Sequence, residues 1–345
     1  MASMKTFNLC FLGFGNVGRA LVQLLRAKSD EMRAEFGIEW RVAGVATRRM
    51  GWLASAEGLN VESLLRGEAT GQSSSQPTNV REWLEAARCD VMFETTSLEP
   101  LTGQPAIEHV RAALESGAHV VTANKGTIVH AYRELDALAR ARGRRFLFEA
   151  TVADMPVFSL FRECMPTARL LGFSGLFNST TSVIIEELER GRTFAEGVAR
   201  AQSLGITETE PDYDVDGWDS AVKTCALATV LMNAPLRLAE IEREGIRGLD
   251  VESVRAASGA GTPFKLVSRA RLTGDGRVAA SVRPERVAPG DPLASASGTS
   301  LVIHFELDVL PGLTLTAHQP DLRSTAYGLL SDFVNAVRDE AASQR

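Results

Sequence analysis

The sequence opens with a short apolar run that meets a glycine-rich turn and then an amphipathic stretch. Residues 7–12 have the character of a buried strand, and residues 19–25 place apolar side chains at helical spacing. Between them, Gly13 permits a tight turn, Gly15 lets a pyrophosphate approach the backbone, and Gly18 lets the helix pack closely on the strand. The pattern predicts a Rossmann-type dinucleotide-binding unit with phosphate at the helix amino terminus. The alternative is a glycine turn that serves packing alone.

Strand and helix patterns alternate as far as residue 149. Strands are expected at residues 40–46, 90–95, 119–122 and 145–149, with helices at 105–116 and after 125. This alternation predicts an α/β fold with a doubly wound parallel sheet, whose ligands bind at the carboxyl ends of the strands. The loops at 94–97 and 123–125 occupy such ends. The residues expected to face the cofactor are therefore Gly13, Phe14, Gly15, Asn16, Val17, Gly18, Thr95, Thr96, Ser97, Asn124 and Lys125.

The end of the second strand bears on which dinucleotide binds. An NAD-selective site usually places an acidic residue there for the ribose hydroxyls, whereas this chain has Arg48 and Arg49. Two guanidinium groups can pair with a 2′-phosphate. The sequence therefore predicts that NADP(H) is preferred, with NAD(H) as the second choice; the alternative is two solvated arginines on a surface turn.

Beyond residue 150 the pattern changes to longer strands, at 170–177, 301–310 and 313–317. Asn178 is expected to cap one helix, and Thr193 with Glu196 forms a capping box for the next. A last helix at about 325–337 has apolar residues at helical spacing and is expected to pack back on the first domain. We therefore predict a dinucleotide domain at 1–150, completed by residues 320–345, and an inserted α+β domain for substrate binding and dimerisation at 151–319.

Composition indicates a soluble enzyme. With 345 residues, 45% of them hydrophobic, the chain can bury two cores, and it contains no uncharged apolar run long enough to span a bilayer. A net charge of −6 argues against nucleic acid and anionic membranes as partners. Four cysteines without metal spacing, and no signal-peptide pattern, predict reduced thiols in the cytoplasm and no metal centre.

Residues 205–223 form an acidic segment that leads into an apolar helix. Six carboxylates precede a single lysine, Lys223. Asp219 stands four residues before Lys223, so both share one helix face and can form an ion pair that aims the ammonium. Such a segment is typical of a site for a small charged substrate that exchanges a proton; the alternative is a solvated acidic loop before a core helix.

The chain resembles the homoserine dehydrogenase family over nearly its whole length. The matching stretches are Gly13-Phe-Gly-Asn-Val-Gly18, Thr122-Ala-Asn-Lys125, Glu149-Ala-Thr-Val152, Asn178-x-Thr-Thr181 and the segment from Gly205-x-x-Glu208 through Asp214 and Gly217 to Asp219-x-x-x-Lys223. Further matches are Lys265-Leu266, Val282-Arg-Pro284 and Thr325-Ala-Tyr-Gly328. The resemblance implies reversible reduction of aspartate 4-semialdehyde to homoserine by a homodimer in amino-acid biosynthesis.

The resemblance also implies roles for individual residues. Lys223 would give a proton to the alkoxide that forms as hydride reaches the aldehyde, and Asp219 would orient it. Lys125 would neighbour the nicotinamide and the substrate oxygen, Glu208 would hold the substrate ammonium, and Asp214 would support the pocket. Ser179 and Thr180 are placed at the substrate, and a monovalent cation near Glu149 and Val152. The alternative for each is an ordinary surface charge or polar group.

Three loops depart from the family pattern. Ala153-Asp154-Met155 replaces glycines that precede a proline, Ser179 replaces a glycine, and residues 318–323 replace a glycine-rich loop. Because the proton-transfer residues are retained while these loops change, we expect kept chemistry with homoserine as a poor substrate. The alternatives are a paralogue that acts on another hydroxy acid and, in a different class, a nicotinamide-binding protein without turnover.

Overall fold

The computed structural model describes residues 4–68, 77–152, 154–207 and 211–342. The chain divides into two compact units: one comprises Met1–Asp154 and Asp321–Arg345, and the other comprises Met155–Pro320. In the part of the chain so described, each unit is built around one six-stranded sheet.

The first sheet has the strand order β3-β2-β1-β4-β5-β6. Its strands are β1 (Lys5–Leu12), β2 (Ile38–Thr47), β3 (Gly51–Ala54), β4 (Val91–Glu94), β5 (His119–Thr122) and β6 (Phe146–Leu147). The helices of this part are α1 (Asn16–Ala27), α2 (Ser29–Glu31), α3 (Val61–Arg66), α4 (Val80–Ala87), α5 (Ala106–Glu115) and α6 (Lys125–Ala141), and Met32–Phe36 forms a π-helical turn after α2.

The pairing of these strands confirms the expected doubly wound α/β sheet. All neighbours from β2 to β6 run parallel, and the strand order reverses between β1 and β4. Only the edge strand β3, which the sequence did not predict, pairs antiparallel, with β2. The three residues between them are too few for the crossover connection that a parallel neighbour needs. The strand predicted at 145–149 is also shorter, because Glu149 begins a 3₁₀ turn.

The second sheet has the order β12-β11-β7-β9-β10-β8. Its strands are β7 (Leu170–Leu176), β8 (Glu242–Arg243), β9 (Phe264–Leu272), β10 (Val278–Arg286), β11 (Leu301–Leu307) and β12 (Leu313–Ala317), and its helices are α7 (Val157–Ser159), α8 (Ser179–Glu189), α9 (Phe194–Ser203), α10 (Asp212–Val215), α11 (Trp218–Leu231) and α12 (Val251–Gly259). Asn178 caps α8 and the Thr193–Glu196 capping box opens α9, as predicted. The hairpin of β9 and β10 was not predicted.

The last helix, α13 (Leu322–Ala342), belongs to the first unit. Phe333 of this helix packs edge-on against Phe7 of β1 and Phe93 of β4, with ring centroids 6.2 and 6.1 Å apart. This helix therefore packs on the first sheet, and it is longer than the expected range of 325–337. Among the described residues, none of the helices has both the length and the apolar character that crossing a membrane requires.

Glu340 near the end of α13 joins four segments of the first unit. Its carboxylate lies 2.7 Å from Lys5 Nζ, 2.8 Å from His119 Nε2 and 2.7 Å from Arg144 Nη1. His119 Nδ1 accepts the backbone N–H of Arg145 at 3.0 Å, so Nε2 carries the proton that is donated to Glu340. Burial raises the pKa of Glu340, but the bonds from Lys5 and His119 outweigh it and lower the pKa to about 2.

This cluster predicts a pH-dependent contribution to stability. A carboxylate with a depressed pKa stabilises the fold above its ordinary pKa, near 4.5, and loses that contribution as the pH falls toward 2. Because Glu340 is 31% exposed, solvent screens part of the effect, and Glu340→Gln should lower the free energy of unfolding by about 1–2 kcal/mol at pH 7. Urea denaturation should show this difference shrinking below about pH 5.

Asp339→Asn is the matched control, since Asp339 is 77% exposed and lies 3.7 Å from Arg145. We expect it to change stability by less than about 0.5 kcal/mol. An equal loss in both variants would mean that net charge, and not the cluster, stabilises α13.

Candidate active site

The second unit holds a lysine of fixed direction, Lys223, in the second turn of α11. Lys223 Nζ lies 2.8 Å from Asp219 Oδ2, and both side chains are largely buried, with 14% and 13% exposed. Lys223 also donates to the backbone carbonyl of Phe177 at 2.6 Å. Two acceptors from different segments therefore fix the direction of the ammonium. The expected ion pair is present, and its burial argues against a merely solvated charge pair.

Asn178 organises the carboxylates around this lysine. Its side-chain oxygen accepts the N–H of Thr181 at 2.9 Å, which caps α8. Its amide nitrogen donates to Asp214 Oδ1 at 2.6 Å and to Asp219 Oδ2 at 3.1 Å. One neutral amide thus lies between two carboxylates and bonds both. The sequence predicts the cap but not these two bonds, and the available signal for them is that Asn178 follows the end of β7 by two residues.

Asp214 is half-buried and lies in an electronegative environment. Burial and the neighbouring charge of Asp219 raise its pKa, while the bond from Asn178 opposes the shift. Thr207 Oγ1 lies 3.3 Å from Asp214 Oδ2. The phenol of Tyr213 is also buried, and burial with the charge of Asp219 raises its pKa. The acidic cluster around Lys223 is therefore desolvated, which strengthens its electrostatic interactions.

The residues expected at the substrate lie at the amino end of α8. Ser179 Oγ donates to the carbonyl oxygen of Thr299 at 2.9 Å, and Thr180 Oγ1 donates to Ile206 O at 3.2 Å. The serine that departs from the family pattern thus makes a bond within the second unit. Glu208 lies outside the described residues.

In the first unit, the glycine turn has the form that a pyrophosphate site requires. Gly13 has φ +86°, and a Cβ there would lie 2.6 Å from the carbonyl oxygen of Thr95. At Gly18 a Cβ would lie 3.3 Å from Gly13 O, whereas at Gly15 it would meet nothing within 4 Å. No side chain in the described part of the chain caps α1 at Gly15. Open space above unsatisfied helix N–H groups suits an anionic cofactor group.

The end of β2 lies beside this turn, because Gly13 N–H donates to Ala46 O at 2.9 Å. Arg48 and Arg49 follow on an exposed turn, which Thr47 closes by accepting the N–H of Met50 at 2.9 Å. No ion pair of either arginine occurs within the residues that the structure describes. Both arginines thus lie on the turn that follows β2, the strand end at which the sequence predicts a dinucleotide ribose.

The two remaining loops that are expected to face the cofactor contact each other and the glycine turn. Asn124 Nδ2 lies 3.4 Å from the carbonyl oxygens of Thr96 and Ser97, and Thr95 Oγ1 donates to Gly13 O at 3.0 Å. Lys125, half-buried, is the first residue of α6. The structure thus brings the β4 loop, the β5 loop and the glycine turn together at one edge of the first sheet.

The loop after β6 contains the residues that the resemblance places near a monovalent cation, and one of the loops that depart from the family pattern. Glu149 and Val152 are buried, and the backbone N–H of Glu149 donates to Asp332 Oδ2 at 2.7 Å. Asp154 has φ +49°, a left-handed conformation that favours glycine. This loop, where the family pattern has glycines, thus contains one backbone conformation that favours glycine. The described residues contain no group of three or more acidic, histidine or cysteine side chains that could hold a metal ion.

Two family models match the chain. The homoserine dehydrogenase model matches residues 156–334, and the homoserine dehydrogenase NAD-binding domain model matches residues 13–149. The chain belongs to the homoserine dehydrogenase family. It is therefore an NAD(P)-dependent oxidoreductase of a family that acts on CH–OH groups, and the sequence-based family assignment is confirmed.

Relatives with this name extend over the whole chain. The NAD(+)-dependent homoserine dehydrogenase of Pseudomonas canavaninivorans is 33% identical over 99% of both chains. The homoserine dehydrogenase of Methanocaldococcus jannaschii is 29% identical over 95% of this chain and 98% of that one.

Solved structures of homoserine dehydrogenases share the fold of this chain. A homoserine dehydrogenase from Thiobacillus denitrificans superposes with a TM-score of 0.84 at 27% identity, over 100% of this chain and 76% of that one. A hyperthermophilic archaeal homoserine dehydrogenase mutant in complex with NADPH gives a TM-score of 0.81 at 26% identity, over 97% and 98% of the two chains.

Proposed function

We propose that the protein interconverts homoserine and aspartate 4-semialdehyde. The observation that carries this proposal is the largely buried Lys223, held by Asp219 and the carbonyl of Phe177, with Asn178 joining Asp219 to Asp214. An ammonium in a desolvated site can stabilise an alkoxide and supply its proton. The names of the full-length relatives support the same substrate.

The roles follow from the chemistry. The bound nicotinamide supplies or accepts the hydride. Lys223 donates the proton to the substrate oxygen during reduction and removes it during oxidation, and Asp219 orients the ammonium. Lys125 stands at the cofactor loops of the first unit, where we assign it to the nicotinamide and the substrate oxygen. Glu208 and Asp214 are assigned to the polar end of the substrate, together with Ser179 and Thr180.

We propose NADP(H) as the preferred cofactor, because Arg48 and Arg49 stand at the end of β2 in place of an acid. NAD(H) is the second candidate, since the relative from Pseudomonas canavaninivorans is named as NAD(+)-dependent. We further propose a homodimer in the cytoplasm, on the basis of the family resemblance and of cysteines that are all unpaired.

The direct test measures NADPH absorbance at 340 nm with aspartate 4-semialdehyde, and NADP⁺ reduction with homoserine. Turnover that requires the substrate supports the proposal. Turnover only with other hydroxy acids would identify a paralogue, and tight cofactor binding with no turnover on any substrate would identify a non-catalytic binding protein.

The departing loops give a prediction about substrate choice. Asp154 places a negative charge in a left-handed position, and Ser179 adds a side chain at the start of α8. We expect the Asp154→Gly and Ser179→Gly double variant to raise kcat/KM for homoserine, by up to about 10²-fold if the loops misplace the substrate by about 1 Å. Steady-state kinetics of both single variants and the double variant provide the measurement.

The interpretation of the double variant depends on the wild-type kcat/KM for homoserine. If wild-type kcat/KM for homoserine already reaches about 10⁴ M⁻¹s⁻¹, the loops are neutral variation. Thr299→Ala is the matched control, because the Ser179 hydroxyl contacts the main-chain oxygen there; we expect wild-type activity.

A further inference from the structure

Glu94 is a buried carboxyl group to which the chemistry above gives no part. It is the last residue of β4 and has no exposed surface. Within the described residues it forms no ion pair. Burying an ionisable side chain without an opposite charge costs free energy. The hydrogen bonds that offset this cost indicate the role of Glu94.

Its hydrogen bonds connect two strand ends. Oε1 accepts the backbone N–H of Thr96 at 3.1 Å and also the Thr96 hydroxyl, and Oε2 accepts the hydroxyl of Thr122 at 3.1 Å. Thr122 Oγ1 in turn accepts the N–H of Asn124 at 2.9 Å. The carboxyl group therefore holds the loop after β4 against the end of β5.

The same chain of bonds reaches the start of α6. Asn124 Oδ1 accepts the N–H of Gly126 at 3.0 Å, and its amide nitrogen faces the carbonyl oxygens of Thr96 and Ser97. Lys125 lies between the two residues of this cap. Glu94 thus fixes the backbone on both sides of the cofactor loops without reaching the surface.

The sheet topology indicates which part of the cofactor lies above Glu94. Dinucleotides bind across the point where the strand order reverses, with the pyrophosphate at the first helix and one ribose at the second strand. In this sheet the reversal falls between β1 and β4. The nicotinamide half of the cofactor, which would not bind at β2, would therefore be held on the side of β4 and β5.

Glu94 can change charge near neutral pH. Burial raises its pKa to about 7, against the bonds from Thr96, Thr122 and Asn124 that favour the anion. The flanking strands contribute the ionisable Lys5 and His119 at their opposite, amino ends, where both contact Glu340.

The helices near β4 contribute further ionisable groups. Glu108 and Arg111 of α5 form an ion pair with each other, and Arg111 also pairs with Glu134 of α6. Burial lowers the pKa of His109, so this imidazole stays neutral over most of the range tested below. Lys125 is the charged group nearest in sequence to the network.

We propose that Glu94 is a positioning residue for the dinucleotide and that its charge distinguishes the two redox forms. Its carboxylate holds the β4 and β5 loops in one arrangement, and its negative charge favours the oxidised nicotinamide, which is cationic, over the reduced one, which is neutral. This inference rests on dinucleotide binding, but not on the identity of the substrate.

The test is the ratio of the dissociation constants of NADPH and NADP⁺, measured by fluorescence and calorimetric titration from pH 6 to 8.5. Both forms carry the same phosphates, so the ratio cancels their contacts with arginine. In the wild type the ratio should rise with pH around a midpoint near 7, by on the order of tenfold for one added charge. Glu94→Gln should hold the ratio at the wild-type low-pH value throughout.

Two further variants keep the result interpretable. Glu99→Gln is the matched control, because Glu99 lies half-buried on the same loop and, within the described residues, bonds the neighbouring backbone of Leu101 and Thr102; it should follow the wild type. Thr122→Val removes one donor to the anion and should move the midpoint to higher pH, which tests the inference if Glu94→Gln does not fold.

A wild-type ratio that does not change with pH, or a Glu94→Gln ratio that follows the wild type, would overturn the inference while leaving the proposed function intact. Failure to bind either form would overturn both.

Discussion

Replacing Lys223 by methionine is expected to lower kcat by about 10²–10⁴ while cofactor affinity stays nearly unchanged. Methionine keeps most of the side-chain volume and removes the ammonium that Asp219 and the carbonyl of Phe177 hold at 2.8 and 2.6 Å. A group that acts mainly in the transition state affects kcat, and kcat/KM falls with it. Steady-state kinetics in both directions, together with fluorescence titration of NADPH, provide the measurement.

Two further variants distinguish a loss of proton transfer from a loss of structure. Asp219→Asn keeps the shape but removes the charge that orients Lys223, so we expect a smaller loss in kcat. Asn178→Asp would place a third carboxylate against Asp214 and Asp219, and we expect it to impair both folding and turnover through like-charge repulsion. If Lys223→Met retains activity within a few-fold, Lys223 is a structural partner of Asp219 and the proton-transfer role fails.

The first sheet could be predicted from the sequence because its signals are local. Gly13 has φ +86°, and an added Cβ would lie 2.6 Å from the carbonyl oxygen of Thr95, so almost no other residue can replace it. The turn can therefore be recognised from the residue types themselves. The hairpin of β9 and β10 has no such signal. Charged residues in both of its strands interrupt the apolar alternation that marks a strand. Two of them, Arg269 and Glu285, form a cross-strand ion pair at 2.9 Å.

The residues of the candidate site likewise differ in how far the sequence alone predicts their contacts. The Asp219 and Lys223 pair follows from helical spacing alone, and the structure places it as expected. The role of Asn178 does not, since its amide joins carboxylates 36 and 41 residues away in the chain. Glu94 is similar: it looked like the end of a buried strand, and only the tertiary structure shows that Thr96 and Thr122 both bond to it.

Changing Arg48 and Arg49 together to alanine is expected to weaken NADP(H) binding by about 10²–10⁴-fold and NAD(H) binding only slightly. Both arginines follow β2, next to the glycine turn that Gly13 fixes to Ala46 at 2.9 Å. Charge-assisted bonds to a phosphate contribute about 1.5–3 kcal/mol each. Only NADP(H) carries the 2′-phosphate, so its affinity should fall selectively, and competitive fluorescence titration of both cofactors measures the difference.

A change in the net charge of the protein must be excluded as the cause of weaker NADP(H) binding. Arg140→Ala removes one positive charge at the far end of α6, where Arg140 is 77% exposed and paired with Asp136, and should leave both affinities unchanged. The titrations should be repeated at low and high salt, because a contact with phosphate weakens as ionic strength rises. Equal weakening of NAD(H) and NADP(H) by the double variant would show that the arginines hold the turn rather than the phosphate. The cofactor preference would then follow that of the NAD(+)-dependent relative.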